Sequence, residues 1–229
     1  MKTFFYLVCI LCPLLLICCT YEDEKLNNVI ENSPPINENF RGIESDIILT
    51  NIFLNNIENT VGVLVFQSTN KASFKLFNDN GTLWKLQDIA DFSSNSNDSI
   101  LPFAFSPDNF LLVFKCKNIT NDNYEIIVNE ELGLKKYIKK NDKKFIFETW
   151  GKHIESAFSV EFNSQTNPIY SEQSIVSNII VKDNDKFYYP VQVKDDWLKI
   201  KWGENDNWNY GWIKWRSEKK MLIEIFYFA

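Results

Sequence analysis

Residues 195–216 read DDWLKIKWGENDNWNYGWIKWR, and this stretch holds five of the seven tryptophans of the chain. Apolar and polar residues alternate along it, as they do in β-strands that have one buried face. The residues that alternation places on the apolar sides are Leu198, Ile200, Trp202, Ile213 and Trp215. We predict two strands joined by a turn, with these residues lining a hydrophobic core.

The opposite sides of the two predicted strands carry aromatic rings beside lysines. Flat indole surfaces with cations nearby suit stacking on sugar rings or gripping extended peptides. The candidate ligand-binding residues are Trp197, Lys199, Trp208, Tyr210, Trp212 and Lys214. Alternation predicts that Trp197 and Trp212 stand exposed among cations. Packing of the tryptophans against a neighbouring domain is the competing explanation, and the apolar run at residues 221–228 favours such docking.

Two blocks of this stretch, Trp-Leu-Lys-Ile at 197–200 and Gly-Trp-Ile at 211–213, resemble bacterial SH3-like domains. The resemblance covers roughly residues 165–229 and implies a small β-barrel. The strand that begins the family's domain, Leu-Asn-Val-Arg-x-Gly-Pro, is represented here only by residues 167–172, Asn-Pro-Ile-Tyr-Ser-Glu. We therefore carry over no ligand site from that family.

Residues 46–163 also show mainly the period of two that is typical of strands. The predicted strands cover residues 61–66, 73–77, 82–86, 111–116, 124–128 and 134–138. The last two are predicted to pair across a connection at residues 129–133. Asn78-Asp79-Asn80-Gly81 predicts a hairpin turn, because Asn and Gly tolerate positive φ. One helix is predicted after Thr149, a residue type that caps helices, and His153 is expected to be a partly exposed residue of that helix.

The amino terminus reads as an export signal, with Lys2 followed by an apolar run from Phe4 to Ile17. The run closes on Leu16-Ile17-Cys18-Cys19, which resembles a bacterial lipobox. The resemblance implies cleavage before Cys19 and attachment of lipid to its thiol, and an uncleaved membrane anchor is the alternative. Glu22-Asp23-Glu24 resembles the acidic surface-export signal of Bacteroidetes lipoproteins, although three acids also suit a solvated tether.

These segments predict a mainly β protein of four parts: a signal peptide at 1–18, a flexible acidic tether at 19–45, a β-rich domain with one short helix at 46–163, and an SH3-like barrel at 164–229. The formal net charge of −6 argues against a nucleic-acid partner, since such proteins normally carry a basic excess. The membrane, reached through the lipid anchor, is the expected partner; protein partners are not indicated.

Catalytic and metal-binding residues are scarce in this sequence. It has one histidine, and Cys116 is the one cysteine that follows Cys19. We predict neither a catalytic site, nor a metal site, nor a cofactor. The expected function is therefore non-catalytic binding of a cell-envelope glycan or peptide by a lipoprotein of the bacterial outer membrane. The alternatives are a hydrolase of wall or surface polymer, for which Asp79, Asp108 and Glu148 are the available carboxylates, and a structural subunit of an envelope assembly.

Overall fold

The computed structural model describes residues 55–67, 72–89 and 100–229. All of them belong to one compact unit, Ile48–Ala229. The predicted signal peptide, Cys19 and the acidic tether lie outside the described residues. Within the described part, no helix is long and apolar enough to cross a membrane.

The predicted mainly β fold is confirmed, with several antiparallel sheets and one short α-helix. The first strands are β1 Gly62–Phe66, β2 Ser73–Phe77, β3 Leu83–Asp88, β4 Ala104–Ser106, β5 Leu111–Ile119, β6 Asn123–Asn129, β7 Leu134–Lys139 and β8 Phe145–Glu148. A 3₁₀ turn at Pro107–Asn109 lies between β4 and β5, and α1 covers Trp150–Glu155. The remaining strands are β9 Ser159–Glu161, β10 Ile169–Tyr170, β11 Ile179–Ile180, β12 Tyr189–Lys194, β13 Trp197–Glu204, β14 Asn207–Lys214, β15 Arg216–Ser217, β16 Lys220–Met221 and β17 Glu224–Phe226.

Strands β1 to β8 form one antiparallel sheet in the order β3-β2-β7-β6-β5-β1-β8, with β4 paired to β5. The predicted hairpins β2–β3 and β6–β7 are confirmed. The turn before β3 has Gly81 at φ 79°, a conformation that glycine adopts without steric cost.

The sheet curls so that strands far apart in its order meet across a core. The rings of Phe74 in β2 and Phe145 in β8 have centroids 5.3 Å apart. The side chains of Leu64 and Phe66 in β1 point into this same core. Because side chains alternate along a strand, Val63 of β1 points to the opposite face and belongs to a second core.

That second core joins the sheet to the C-terminal part of the chain. Val63, Val113 and Ile154 pack in one cluster with Leu198, Ile200, Trp202, Ile213 and Trp215. The prediction that these last five residues line a core is confirmed, because each is buried. Their core also includes residues that precede position 164. The apolar sides of β13 and β14 are therefore buried partly by residues on the other side of the predicted domain boundary.

The C-terminal strands form a five-stranded antiparallel sheet in the order β11-β10-β14-β13-β12. Two small pairs, β15–β16 and β9–β17, and two isolated bridges, Asn56–Lys220 and Val160–Tyr188, make up the rest of the described pairing. Among the described strands this path is open, and β11 and β12 are its two ends. A closed SH3-like barrel is not confirmed and stays a prediction.

Helix α1 begins where the sequence predicts it. The side chain of Thr149 accepts a hydrogen bond from the backbone N–H of Lys152, which satisfies one of the free donors of the first turn. The helix buries Trp150, His153 and Ile154. It therefore closes one end of the shared core.

Candidate functional site

The side of the five-stranded sheet opposite the shared core is the candidate site. Register assigns its residues in rows that run across the strands. Trp197 lies opposite Lys214, Lys199 opposite Trp212, Lys201 opposite Tyr210, and Gly203 opposite Trp208. We call Trp197, Lys199, Lys201, Trp208, Tyr210, Trp212 and Lys214 the aromatic–lysine face. Six of these seven residues form three cross-strand pairs of one ring and one lysine, and Trp208 lies opposite Gly203.

The lysines of this face lie over its rings. The Lys201 Nζ is 4.5 Å from the ring centroid of Trp208, and the Lys199 Nζ is 5.3 Å from that of Tyr210. Lys199 is also 6.0 Å from the centroid of Trp212. At such distances the ammonium is attracted by the negative face of the ring. The contacts hold positive charge close to the flat aromatic surfaces.

The rings of the face differ in exposure. Tyr210 is 49% exposed, whereas Trp208 and Trp212 are half-buried. The prediction that Trp197 stands exposed is wrong, because it retains only 8% of its accessible surface. Its ring packs edge-on against Tyr170, with centroids 5.5 Å apart, and the Lys214 Nζ lies 4.6 Å above it. Trp197 therefore supports the face, and Trp208, Tyr210 and Trp212 are the rings that a ligand can reach.

Trp197 is covered by β10. In the sequence, the residues of β10 fall within 167–172, the segment that matches the SH3-like pattern poorly. Asn167, just before β10, bonds both backbone groups of Lys214: its Nδ2 donates to the carbonyl at 2.7 Å, and its Oδ1 accepts from the N–H at 3.0 Å. Gly211 lets β10 approach closely, because a Cβ at that position would be 2.4 Å from the Ile169 side chain. These contacts bring Tyr170 beside Trp197.

The face is basic although the C-terminal part as a whole is not. Residues 164–229 contain nine bases and nine acids. Register adds Tyr189, Gln192 and Lys194 of β12 to the same side, so four lysines and no carboxylate lie on these strand faces. Acids such as Asp196 and Glu204 lie at the strand ends, where they pair with Arg216 and Lys186. In the described part of the chain, no carboxylate forms an ion pair with Lys199, Lys201 or Lys214.

Sequence reasoning missed a second arrangement, in which three polar side chains are joined by hydrogen bonds. His153 is 3% exposed, so the expectation that it is partly exposed is wrong. Its Nδ1 is 2.8 Å from the Glu148 Oε2, and its Nε2 is 2.9 Å from the Tyr227 Oη. Burial lowers the pKa of His153, although Glu148 opposes that shift, and burial raises the pKa of Tyr227.

This hydrogen-bonded chain constrains what His153 can do. A neutral imidazole here donates a hydrogen bond from Nδ1–H to Glu148, and its Nε2 accepts a hydrogen bond from the Tyr227 hydroxyl. Both ring nitrogens are thereby occupied, and neither is free to take a proton from a substrate. Tyr227 also lines a cleft of about 180 Å³ with Phe103, Ile223 and Ile225. In the sequence, the contact between Glu148 and His153 is indicated only by their spacing, with Glu148 just before the predicted helix and His153 within it. No pattern near Tyr227 predicts that its hydroxyl bonds to His153.

The remaining predicted groups are placed as follows. Cys116 is fully buried at 0% exposure, and burial raises the pKa of its thiol to about 12, which keeps it protonated at neutral pH. No group of three or more His, Cys, Asp or Glu side chains within the described ranges is arranged to hold a metal ion.

No family model, no curated protein and no solved structure matches this chain. The resemblance to lipoproteins and to SH3-like domains therefore rests on the motifs quoted above.

Proposed function

We propose that the chain is a lipid-anchored lipoprotein of the bacterial outer membrane that binds a cell-envelope glycan or peptide without catalysis. The aromatic–lysine face is its binding surface. The observation that supports this proposal is the row of rings along β14, in which Tyr210 is exposed and Trp208 and Trp212 are half-buried, each with a lysine within 6.0 Å of its centroid.

Anchoring and surface display rest on the lipobox-like Cys19 and the acidic run that follows it. A lipid chain contributes about 0.8 kcal/mol for each buried methylene, so two or three chains hold a protein firmly at the membrane. Metabolic labelling with an alkyne fatty acid tests the anchor. Label in wild type and none in Cys19→Ala is expected, and labelling of the variant would contradict the anchor.

Binding is tested with panels of purified envelope glycans and peptides captured by wild type and by Tyr210→Ala/Trp212→Ala. Trp197 is left intact because its removal would disturb folding. Leu86→Ala/Leu132→Ala is the matched control, since these side chains are 57% and 68% exposed and lie outside the face. We expect capture to be lost only in the ring variant. Equal capture by all three proteins would reject the face as the binding surface.

A hydrolase is the second candidate, because Glu148, His153 and Tyr227 are hydrogen-bonded beside a cleft. The occupied imidazole nitrogens and the raised pKa of the phenol favour a structural role instead. Zymography of the purified protein on peptidoglycan separates the two. Lysis that disappears in His153→Gln would replace the binding proposal with a catalytic one.

A further inference from the structure

The charge distribution on the aromatic–lysine face identifies the chemistry of its ligand more narrowly. Along β13 and β14, successive residues of one face are about 6.6–6.8 Å apart, and neighbouring strands are about 4.8 Å apart. The four rows of the face therefore extend about 20 Å along the strands. Lys194 and Lys214 flank Trp197 in the first row, and the last row carries Trp208.

Positive charge and aromatic rings lie side by side in the first three rows, and the fourth row adds the ring of Trp208. Lys199 and Lys201 lie in the second and third rows. The Nζ of Lys199 lies over the ring of Tyr210, and the Nζ of Lys201 lies over the ring of Trp208. A neutral sugar chain would stack on the rings and leave these ammonium groups without a partner. A chain that carries acidic groups beside its sugar rings would satisfy both features.

The hydrogen bonding of the sheet disfavours a peptide as the ligand. Peptides that bind to sheets gain affinity mainly by adding a strand to an exposed edge. The face is carried by β13 and β14; β13 is paired along its length with β12 and with β14, and β14 also meets β10 at Trp212. The main-chain groups of β13 are thus engaged within the sheet, and in its rows the face offers side chains.

We propose, building on the proposed function, that the ligand of the aromatic–lysine face is an acidic polysaccharide. Its sugar rings stack on Tyr210, Trp208 and Trp212, and its anionic groups contact Lys199, Lys201 and Lys214. The charges of the ligand and the face are complementary, whereas the chain as a whole is anionic, with a net charge of −6.

The test compares two polymers with the same β-glucan backbone, carboxymethyl cellulose and hydroxyethyl cellulose, as probes for the full chain. Lys199→Gln/Lys201→Gln/Lys214→Gln removes three charges from the face. Lys136→Gln/Lys139→Gln/Lys140→Gln is the charge-matched control: those lysines also lie over aromatic rings, but on the other sheet. Tyr210→Ala/Trp212→Ala reports on stacking.

We expect wild type to bind the carboxymethyl polymer and not the neutral one. The face triple variant should bind on the order of 100-fold more weakly, from about fivefold for each lysine near an anionic surface. The control triple should lose far less. Raising the salt from 0.05 to 0.5 M should weaken wild-type binding at least about tenfold, because the Debye length shortens.

Three results would overturn the proposal, and they differ in what they say about the proposed function. Equal binding of both celluloses, lost in the ring variant, would keep a glycan-binding face but reject an acidic ligand. Equal binding of poly-glutamate, or preference for phosphatidylglycerol vesicles, would assign the face to a peptide or to a membrane. Equal losses in both triple variants would show attraction by net charge alone and reject the face itself.

Discussion

Stability between pH 7.5 and 5.5 should depend on His153, the one histidine of the chain. The perturbation is protonation of an imidazole that is 3% exposed and bonded at both nitrogens, to Glu148 and to Tyr227. Burial lowers its pKa below the ordinary value of 6.5, and the hydrogen bond and charge of Glu148 only partly oppose this. In the unfolded chain the same imidazole titrates near 6.5.

The sign of the effect follows from which state binds more protons. Between the lowered pKa of the folded state and about 6.5, the unfolded chain carries the extra proton. The contribution of the neutral His153 to the free energy of unfolding is therefore complete above about pH 6.5. It is lost as the pH falls through this window, with a slope of at most about 1.4 kcal/mol per pH unit for one group.

The assay is urea denaturation followed by tryptophan fluorescence at pH 7.5, 6.5 and 5.5, for wild type and for His153→Gln. The variant should be less stable at pH 7.5, because the side chains of Glu148 and Tyr227 lose their shared partner. Its stability should also fall less between pH 6.5 and 5.5, while carboxylates common to both proteins cancel in the comparison. Parallel pH profiles for the two proteins would refute the assignment of a buried neutral imidazole.

Three further predictions concern stability and reactivity. Trp197→Ala should lower the free energy of unfolding by about 3–5 kcal/mol, as expected for a buried aromatic residue, whereas Tyr210→Ala should lower it by about 1 kcal/mol or less. Both values are measured by urea denaturation, and similar losses in the two variants would contradict the difference in burial. With the four N-terminal cysteines replaced by serine, Cys116 should react with Ellman's reagent at pH 8 only after unfolding, because burial raises its pKa to about 12. Rapid reaction of the native protein would contradict this. Gly203→Ala should destabilise the β13–β14 hairpin by at least about 1 kcal/mol. Gly203 has φ +140°, and the Cβ of an alanine there would lie 2.1 Å from the Asn207 carbonyl oxygen. An unchanged thermal midpoint would contradict this steric argument.

Local patterns in the sequence predicted what depends on local geometry. Alternation identified β1, the β2–β3 and β6–β7 hairpins, and the buried sides of β13 and β14, because side-chain direction in a strand follows from sequence spacing alone. Thr149 predicted the start of α1 for the same reason, since a cap acts within one helical turn.

Contacts between distant parts of the chain could not be predicted in this way. Trp197 occupies an outward position, yet it is buried because Asn167 and Gly211 bring Tyr170 against its ring. His153 bonds to Tyr227, which is 74 residues away in the sequence. In each case a side chain's burial is set by a partner that only the tertiary structure brings near.

Footprinting tests the central claim, binding on the aromatic–lysine face, most directly. Hydroxyl-radical oxidation of aromatic side chains is measured by mass spectrometry with and without carboxymethyl cellulose. The account predicts protection of Trp208, Tyr210 and Trp212, with no change at Trp84 or Tyr124 on the other sheet. Bound polymer that leaves the three rings unprotected, or that protects Trp84 and Tyr124 instead, would contradict it.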